Sequence, residues 1–256
     1  MSNTTLVGIQ TLLRREVNRI VRIWSQTFLP PAISRTLYCV IFGNLLGSRI
    51  GQMGGFDYMS FIVPGLVMMS VITSSYGNMV SSFFGAKFSK HIEELLVSPM
   101  PNWAILVGYV SGSLFRGLTV GLIVTCVAMF FTDIKIHSIG IVLSTVILTS
   151  VVFSLAGFIN AAFAKKFDDI AIIPTFILTP LTYLGGVFYS ISLLPDFWQT
   201  VSLANPVLYM VNTFRYGFLG VSDINIGVAY GIILTFVVVL GGISLHILNK
   251  GLGLRS

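Results

Sequence analysis

The chain has 256 residues, of which 55% are hydrophobic and 9% are charged. Because a soluble domain has about 25% charged residues, this composition excludes an ordinary soluble enzyme, a coiled coil and a disordered chain. The mean hydropathy of +0.90 and the long apolar runs predict an all-α polytopic membrane protein. Six helical spans would occupy about 120–150 residues, which leaves room for loops but not for a second globular domain.

The first predicted element is an amphipathic helix within residues 1–26. Its apolar residues recur at helical spacing: Leu13, Val17, Ile20 and Trp24. Its charged residues include Arg15, Glu16, Arg19 and Arg22. We expect this helix to lie in the interface between membrane and water. Anchoring by positive charge and docking of a cytoplasmic partner both fit the pattern.

Six apolar runs are long enough to span a bilayer. They cover residues 27–47, 58–84, 103–131, 138–163, 170–189 and 226–248. We therefore predict a single transmembrane domain over residues 1–256, with its six spans between residues 27 and 248. Pro30 and Pro31 suit the first turn of the first span. Arg35 follows about one turn later and is close enough to the headgroups to snorkel back to them.

Lys and Arg are unevenly distributed between the two sides of this arrangement. Ten of the fifteen lie on the side of the N-terminus: Arg14, Arg15, Arg19, Arg22, Lys87, Lys90, Lys165, Lys166, Lys250 and Arg255. Three lie on the opposite side: Arg49, Lys135 and Arg215. The positive-inside rule therefore predicts that both termini are cytoplasmic. Because this bias accounts for the net charge of +6, we predict no nucleic-acid partner.

The loop after the second span contains a second amphipathic segment at residues 85–101. Apolar residues recur there at every fourth position: Phe84, Phe88, Ile92 and Leu96. This spacing predicts a short helix that ends before Pro99. An ion pair between Lys90 and Glu94 would add about 0.2–0.5 kcal/mol.

The third span carries small residues at helical spacing: Gly108, Gly112, Ser113, Gly117 and Gly121. Such a face allows backbones to approach closely, either within the chain or between two protomers. Arg116 lies among these glycines, about 20 Å from the cytoplasmic end at 1.5 Å per residue. An arginine at that depth marks a functional site by default, and a purely structural arginine is the alternative.

The fifth span and the segment after it are irregular. Pro174, Pro180 and the Gly185–Gly186 pair predict a kinked or interrupted helix. Two short helices follow within residues 190–217, and Asn205–Pro206 has the sequence of a helix start. Helices this short do not span a bilayer. They form either a re-entrant hairpin or a hairpin that lies flat in the outer headgroups.

In this order the segments resemble the permease subunit of an ABC-2 type transporter, a family of bacterial exporters. One block that carries the resemblance runs Glu93-Glu94-Leu95-Leu96-Val97-Ser98-Pro99. The other extends from Phe167 to Gly220 and contains Pro180-Leu-Thr-Tyr-Leu-Gly-Gly-Val-Phe-Tyr189. The resemblance covers nearly the whole chain and points to the short six-span permeases of the Gram-negative inner membrane.

The resemblance implies roles for particular residues. Residues 85–101 would be the coupling helix, which contacts the ATPase through Glu93, Glu94, Leu95, Leu96, Ser98 and Pro99. Residues 190–217 would be the paired re-entrant helices that seal the outer exit. The residues expected in the substrate path or outer gate are Arg116, Tyr183, Phe188, Tyr209, Asn212 and Arg215.

The resemblance also implies partners. Two permeases would pair, and two copies of a separate ATPase, which bind ATP and Mg, would complete the exporter. The permease itself would hold no cofactor or metal and would not be an enzyme. Its substrate would be an amphipathic, lipid-linked, glycan or drug-like compound. No phosphate-binding G-x-x-x-x-G-K-[ST] run occurs in the sequence, which agrees with this division of labour.

A secondary transporter or channel is the main alternative, and a membrane enzyme is a third. Secondary transporters place ionisable residues inside their spans, whereas here those residues lie in loops or near span ends: Asp57, Asp133, Asp168, Asp169, Asp196, Asp223, Glu93, Glu94, His91, His137 and His246. An enzyme needs catalytic groups that converge, which adjacent carboxylates do not do. We expect Asp168 and Asp169 to cap the fifth span.

Overall fold

The computed structural model describes residues 3–132 and 136–254. Its first helices are α1 (Asn3–Arg22), α2 (Trp24–Tyr38), α3 (Gly47–Ile50), α4 (Tyr58–Phe88), α5 (His91–Val97) and α6 (Asn102–Ala128). They are followed by α7 (Ile139–Phe163), α8 (Asp169–Ile173), α9 (Thr179–Tyr183), α10 (Asp196–Leu203), α11 (Pro206–Leu219) and α12 (Ile226–Lys250). Two π-helical segments, Cys39–Leu46 and Pro174–Leu178, and a 3₁₀ turn, Ile191–Leu193, connect some of them. Strands β1 (Gln52–Met53) and β2 (Phe56–Asp57) pair antiparallel between α3 and α4.

Four helices of the described residues are long and apolar enough to cross a membrane, namely α4, α6, α7 and α12. They coincide with the second, third, fourth and sixth predicted spans. The prediction of a mostly helical chain with several apolar helices of spanning length is therefore confirmed.

The first predicted span is not one regular α-helix. α2 begins at Trp24, and after Tyr38 the chain winds through the wider π-helical segment into α3. Pro30 and Pro31 lie inside α2 rather than in its first turn. Proline removes a backbone donor and disfavours a regular helix interior. The helix nevertheless begins at Trp24, three residues, or just under one turn, before the predicted start at residue 27.

The fifth predicted span is interrupted, as its prolines and glycines predict. α8 passes into the π-helical segment at Pro174, and α9 ends at Tyr183, well before the predicted end at residue 189. Gly186 follows with a φ of +71°, a conformation that favours glycine.

The two short helices expected within residues 190–217 are present as α10 and α11. The Asn205 side chain accepts a hydrogen bond from the Val207 N–H at 2.9 Å, and Pro206 occupies the first helical position. The predicted helix start is therefore confirmed.

Hydrogen bonds between helix ends define two ends of the bundle. At the α5 end, Asn102 at the start of α6 donates to Asn249 near the end of α12 at 2.8 Å, and Lys87 at the end of α4 donates to two carbonyls at the end of α7. At the α11 end, the Ser138 N–H before α7 donates to the Gly217 carbonyl in α11 at 2.8 Å. α4, α7 and α12 thus end at the α5 end, whereas α6 begins there and runs in the opposite direction. Asp133, Lys135 and Arg255, which entered the sequence argument, lie outside the described residues.

The glycine face of α6 packs within the chain. A Cβ built at Gly108 would lie 2.9 Å from Leu12 in α1, and one at Gly121 would lie 2.9 Å from Val71 in α4. These distances are too short for side-chain contact, so α1 and α4 reach α6 because the glycines lack a Cβ. Of the two alternatives, the structure assigns this face to packing inside the protomer.

Candidate functional site

The short helix predicted for residues 85–101 occupies only part of that range, His91–Val97. Residues 85–88 continue α4, and a turn at Ser89 and Lys90 precedes the seven residues of α5. Lys90 has a φ of 60°, a left-handed conformation that ends α4 and redirects the chain. Because Lys90 precedes α5, the predicted pair with Glu94 is not among the ion pairs of the described residues.

One side of α5 is anchored and the other is exposed. Ile92 is buried, and Leu95 and Leu96 pack half-buried against the same core. Glu93, Glu94 and Pro99 are exposed, while Ser98 is half-buried and donates to a backbone carbonyl of α5. Val97 is 87% exposed. It was not among the residues predicted to contact the ATPase, although it lies in the same sequence block as those residues.

Aromatic and charged contacts fix the base of α5 to the bundle. Lys87 Nζ donates to the two carbonyls at the end of α7 at 2.6 and 2.8 Å, and so caps that helix. The rings of Phe84 and Phe88 each meet Phe167 with centres 5.0 Å apart. A cavity of about 510 Å³ lies beside this cluster. These contacts join the end of α4, from which the chain turns into α5, to the end of α7.

Helix α1 turns a different face inward from the predicted one. Its buried residues recur at every fourth position: Leu12, Glu16 and Ile20. Of the predicted apolar stripe, only Ile20 is buried, Leu13 and Val17 are half-buried, and Trp24 is exposed. Leu12 meets Gly108 and Glu16 meets Gly112, so α1 follows α6 over successive turns. Protein contacts, in addition to any lipid, hold α1 in place.

Glu16 is the centre of a buried polar cluster and is 1% exposed. The Ser82 hydroxyl lies 2.7 Å from each carboxylate oxygen, and Arg19 Nη2 lies 2.9 Å from Oε2. Of the charged residues of the predicted amphipathic helix, Glu16 is therefore buried, because these partners replace water around the carboxylate. Arg15 and Arg22 are exposed.

Arg35 does not snorkel to the headgroups. It is buried, its Nε donates to Ser70 Oγ at 2.7 Å, and its guanidinium lies 5.3 Å from the centre of the Tyr38 ring. The hydroxyl on α4 gives the side chain an inward partner, which the sequence alone does not reveal. Arg35 and Arg116 line the same cavity of about 400 Å³.

An aromatic cluster joins the first and fifth predicted spans. Phe188 packs against Phe42, Tyr183 and Tyr38 with ring centres 5.1, 5.6 and 5.9 Å apart. The hydroxyls of Tyr38 and Tyr183 lie 3.3 Å apart. Tyr183 and Phe188 were predicted for the path or gate. Tyr38 and Phe42 were not predicted to belong to this cluster, because they are distant in sequence from Tyr183 and Phe188.

Arg215 is 1% exposed and is bound by its own chain. Its Nη2 donates to the Gly186 carbonyl at 2.6 Å and its Nε to the Phe61 carbonyl at 3.3 Å. The guanidinium also lies 3.9 Å from the centre of the Phe61 ring. Arg215 therefore fastens α11 to α4 and to the turn after α9. Although it was expected in the substrate path or outer gate, this burial leaves almost none of its side chain free to contact a substrate.

Tyr209 and Asn212 are also buried in the α11 packing. The Tyr209 hydroxyl donates to the Leu203 carbonyl at 2.7 Å, which joins α11 to α10. Asn212 Oδ1 accepts from the Asp223 N–H at 3.2 Å. Tyr209 therefore holds the two helices of the hairpin together, and Asn212 joins α11 to the loop before α12.

The carboxylates at the start of α8 are not equivalent. Asp169 accepts the backbone N–H groups of Lys165 and Lys166 at 2.8 and 3.0 Å, and these bonds hold the pKa of its carboxyl below the ordinary value. Its contribution to stability is therefore present at neutral pH and is lost as the pH falls into the acidic range. Asp168 makes no capping hydrogen bond, and the N–H groups that Asp169 accepts precede α8. Neither carboxylate therefore caps the free N–H groups at the start of this helix, and the prediction that they do so is wrong.

The fold and this arrangement define a class. A polytopic membrane transport permease has features such as these: long apolar helices, a short exposed helix (α5) at one end of the bundle, and an aromatic cluster toward the other end. The residues that the structure describes contain no group of three or more His, Cys, Asp and Glu suited to a metal ion.

Comparison with known proteins identifies the family. A family model described as ABC-2 type transporter matches residues 7–219. The chain is 55% identical over 250 residues to inner membrane transport permease YadH of Escherichia coli (strain K12), with 98% of each chain covered. It is 22% identical over 260 residues to nodulation protein J of Rhizobium leguminosarum bv. viciae, which covers 96% of this chain and 99% of that relative. The chain belongs to the ABC-2 type transporter family.

Proposed function

We propose that the chain is the permease subunit of an ATP-driven exporter of the bacterial inner membrane. The observation that carries this proposal is the exposed edge of α5, which lies within a family match covering most of the chain. ATP and Mg would be bound by a separate ATPase, because the sequence has no phosphate-binding loop.

The proposed arrangement has six crossings, with the α5 end in the cytoplasm. The segment from α2 to α3 leads from the end of α1 to the β-hairpin, and the segment from α8 to α9 leads from Lys165 to the aromatic cluster. Together with the four long helices they give an even count, which agrees with both termini being cytoplasmic. In this arrangement α10 and α11 remain at the outer end as the re-entrant hairpin.

α5 is the proposed coupling helix. Glu93, Glu94, Val97 and Pro99 present charge and apolar surface to a partner, while Ile92 fixes the helix to the core. Closure of the ATPases would move α5, and the contacts at its base would pass this motion to α4 and α7.

The proposed substrate path lies between two protomers, along α2 and the segment from α8 to α9. Both elements carry exposed apolar side chains: Ile33, Leu37, Ile41, Ile172, Phe176 and Ile177. A second permease and membrane lipids would cover these faces. The aromatic cluster closes the outer end of the path, and an amphipathic, lipid-linked, glycan or drug-like substrate suits its apolar lining.

Co-purification with candidate ATPases of the host tests the proposal. Native mass spectrometry of the detergent-solubilised complex is expected to give two permeases with two ATPases. Glu94→Lys and Val97→Asp are expected to abolish the association, whereas Asp196→Lys, an exposed substitution at the opposite end, is expected to leave it intact. A stable chain that never retains an ATPase would contradict the proposal and favour a secondary transporter or channel.

A further inference from the structure

A stripe of polar side chains runs along α4. Ser70, Ser74, Asn78 and Ser82 recur at every fourth residue, and all are buried. This spacing places them on one face of the helix. The face meets α1, α2 and α6, so the stripe forms a polar seam inside an apolar bundle.

Arginines from the other three helices lie along this seam. Arg19 of α1 donates to Asn78 Oδ1 at 2.9 Å, and Arg35 of α2 donates to Ser70 at 2.7 Å. Arg116 of α6 lines a cavity with Arg35 and Ser74. Three positive charges therefore come from separate parts of the sequence to one side of α4.

The positive charge at the cavity has no counter-charge in the part of the chain that the structure describes. Glu16 is committed to Arg19 and Ser82, and no ion pair involves Arg35 or Arg116. The Nε of Arg116 is buried without a hydrogen-bond partner. An unsatisfied guanidinium donor is costly in a buried site, so the cavity is built to receive an acceptor.

The cavity itself has the size and lining of an anion site. It measures about 400 Å³, and the hydroxyls of Ser34 and Thr73 line it together with both arginines. Guanidinium groups match the oxygens of phosphate and carboxylate. On the adjoining face of α2, Ile33 and Leu37 are exposed and offer a surface for an acyl chain.

We infer that the cavity between α2, α4 and α6 binds a phosphate or carboxylate group through Arg35 and Arg116, with the headgroup of an anionic membrane lipid as its nearest source. This goes beyond the proposed function, because the site binds an anion whether or not the bound molecule is transported.

Lipid retention by the full chain tests the inference. The protein is reconstituted in phosphatidylcholine nanodiscs that contain phosphatidylglycerol. Native mass spectrometry then counts the lipids that stay bound to the protein after it is released from the nanodisc. The wild type is expected to retain phosphatidylglycerol in preference to phosphatidylcholine. The Arg35→Gln/Arg116→Gln variant is expected to lose this preference by about tenfold or more, since a hydrogen bond to a charged group contributes about 1.5–3 kcal/mol.

The matched control is Arg14→Gln/Arg22→Gln, which removes the same charge from exposed positions of α1 and is expected to retain the lipid. Equal retention by both double variants would overturn the inference. If the cavity variant folds poorly, the wild type alone still tests the inference. A wild type that retains phosphatidylglycerol and phosphatidylcholine equally would overturn the inference.

Added inorganic phosphate distinguishes the sources of the anion. Displacement of phosphatidylglycerol by phosphate identifies a site for water-soluble anions, and retention in its presence identifies a headgroup site. Both results support an anion site. Neither depends on an ATPase, so this test fails or succeeds separately from the assembly test.

Discussion

Glu16 and Arg215 are each surrounded by their own chain rather than by water. Glu16 accepts hydrogen bonds from Ser82 and Arg19, and Arg215 donates to carbonyls of α4 and of the turn after α9. Buried charges persist in proteins when such partners satisfy them. At the scale of single residues these charges join segments that are far apart in sequence.

Removing the charge of Glu16 leaves Arg19 without its ion-pair partner. We expect Glu16→Gln to lower the free energy of unfolding by about 2 kcal/mol, measured as a lower melting temperature in detergent. Glu93→Gln, at an exposed position, should change it by less than about 0.5 kcal/mol. Equal melting temperatures would show that the Glu16 cluster does not stabilise α1.

The Arg215 contacts require a planar group with several donors. Arg215→Lys keeps the charge but cannot reach both carbonyls in the same geometry, so we expect it to destabilise the hairpin by about 2 kcal/mol. Limited proteolysis should then cut the segment between α9 and α11 faster than in the wild type. Arg49→Lys, at an exposed site, serves as the control, and identical cleavage rates would contradict the fastening role.

At the scale of elements, the contact between α1 and α6 depends on the absence of side chains. Glycines on α6 let Leu12 and Glu16 approach its backbone, and this approach brings the polar cluster of α1 against the seam of α4. The sequence predicts the small face from its spacing. It does not choose between packing within the chain and packing between protomers, because both bury glycine in the same way.

A methyl group at Gly112 tests this contact. Its Cβ would lie 2.5 Å from Glu16 Cβ, so we expect Gly112→Ala to displace α1 and to lower the melting temperature. Gly242→Ala in α12 meets no atom within 4 Å and should be neutral or stabilising, since alanine favours a helix by about 0.5–1 kcal/mol over glycine. A melting temperature that falls equally in both variants would mean that the loss is not specific to the α1 contact.

At the scale of the whole molecule, α2 and the segment from α8 to α9 expose apolar faces that a second protomer would cover. Phe176 is 74% exposed on the latter segment, and Val238 is 73% exposed on α12. The two side chains are equally exposed, but we expect a second protomer to cover Phe176 and lipid to cover Val238. The two positions can therefore serve as test and control.

Cysteine cross-linking in the membrane distinguishes the two faces. In a Cys126→Ser background, which removes the exposed native cysteine, Phe176→Cys is expected to give a disulfide-linked dimer on oxidation. Val238→Cys is expected to remain monomeric, because lipid covers α12. Cross-linking at position 238 instead of 176 would place the protomer contact on α12 and contradict the proposed path.

The features that could be predicted from the amino-acid sequence are those that depend on local composition and spacing. Apolar length located the four long helices, Pro174 and Gly186 predicted the interruption of the fifth span, and Asn205–Pro206 predicted the start of α11. Each of these follows from the conformational preferences of a few consecutive residues.

The directions in which the charged side chains point depend on tertiary contacts. Arg35 turns to Ser70, Glu16 turns inward, and Arg215 is enclosed by α4 and the turn after α9. The orientation of a long charged side chain depends on the partners that distant segments provide. The periodicity of its own helix does not contain that information, and so the cavity that Arg35 and Arg116 share could not be predicted from the sequence.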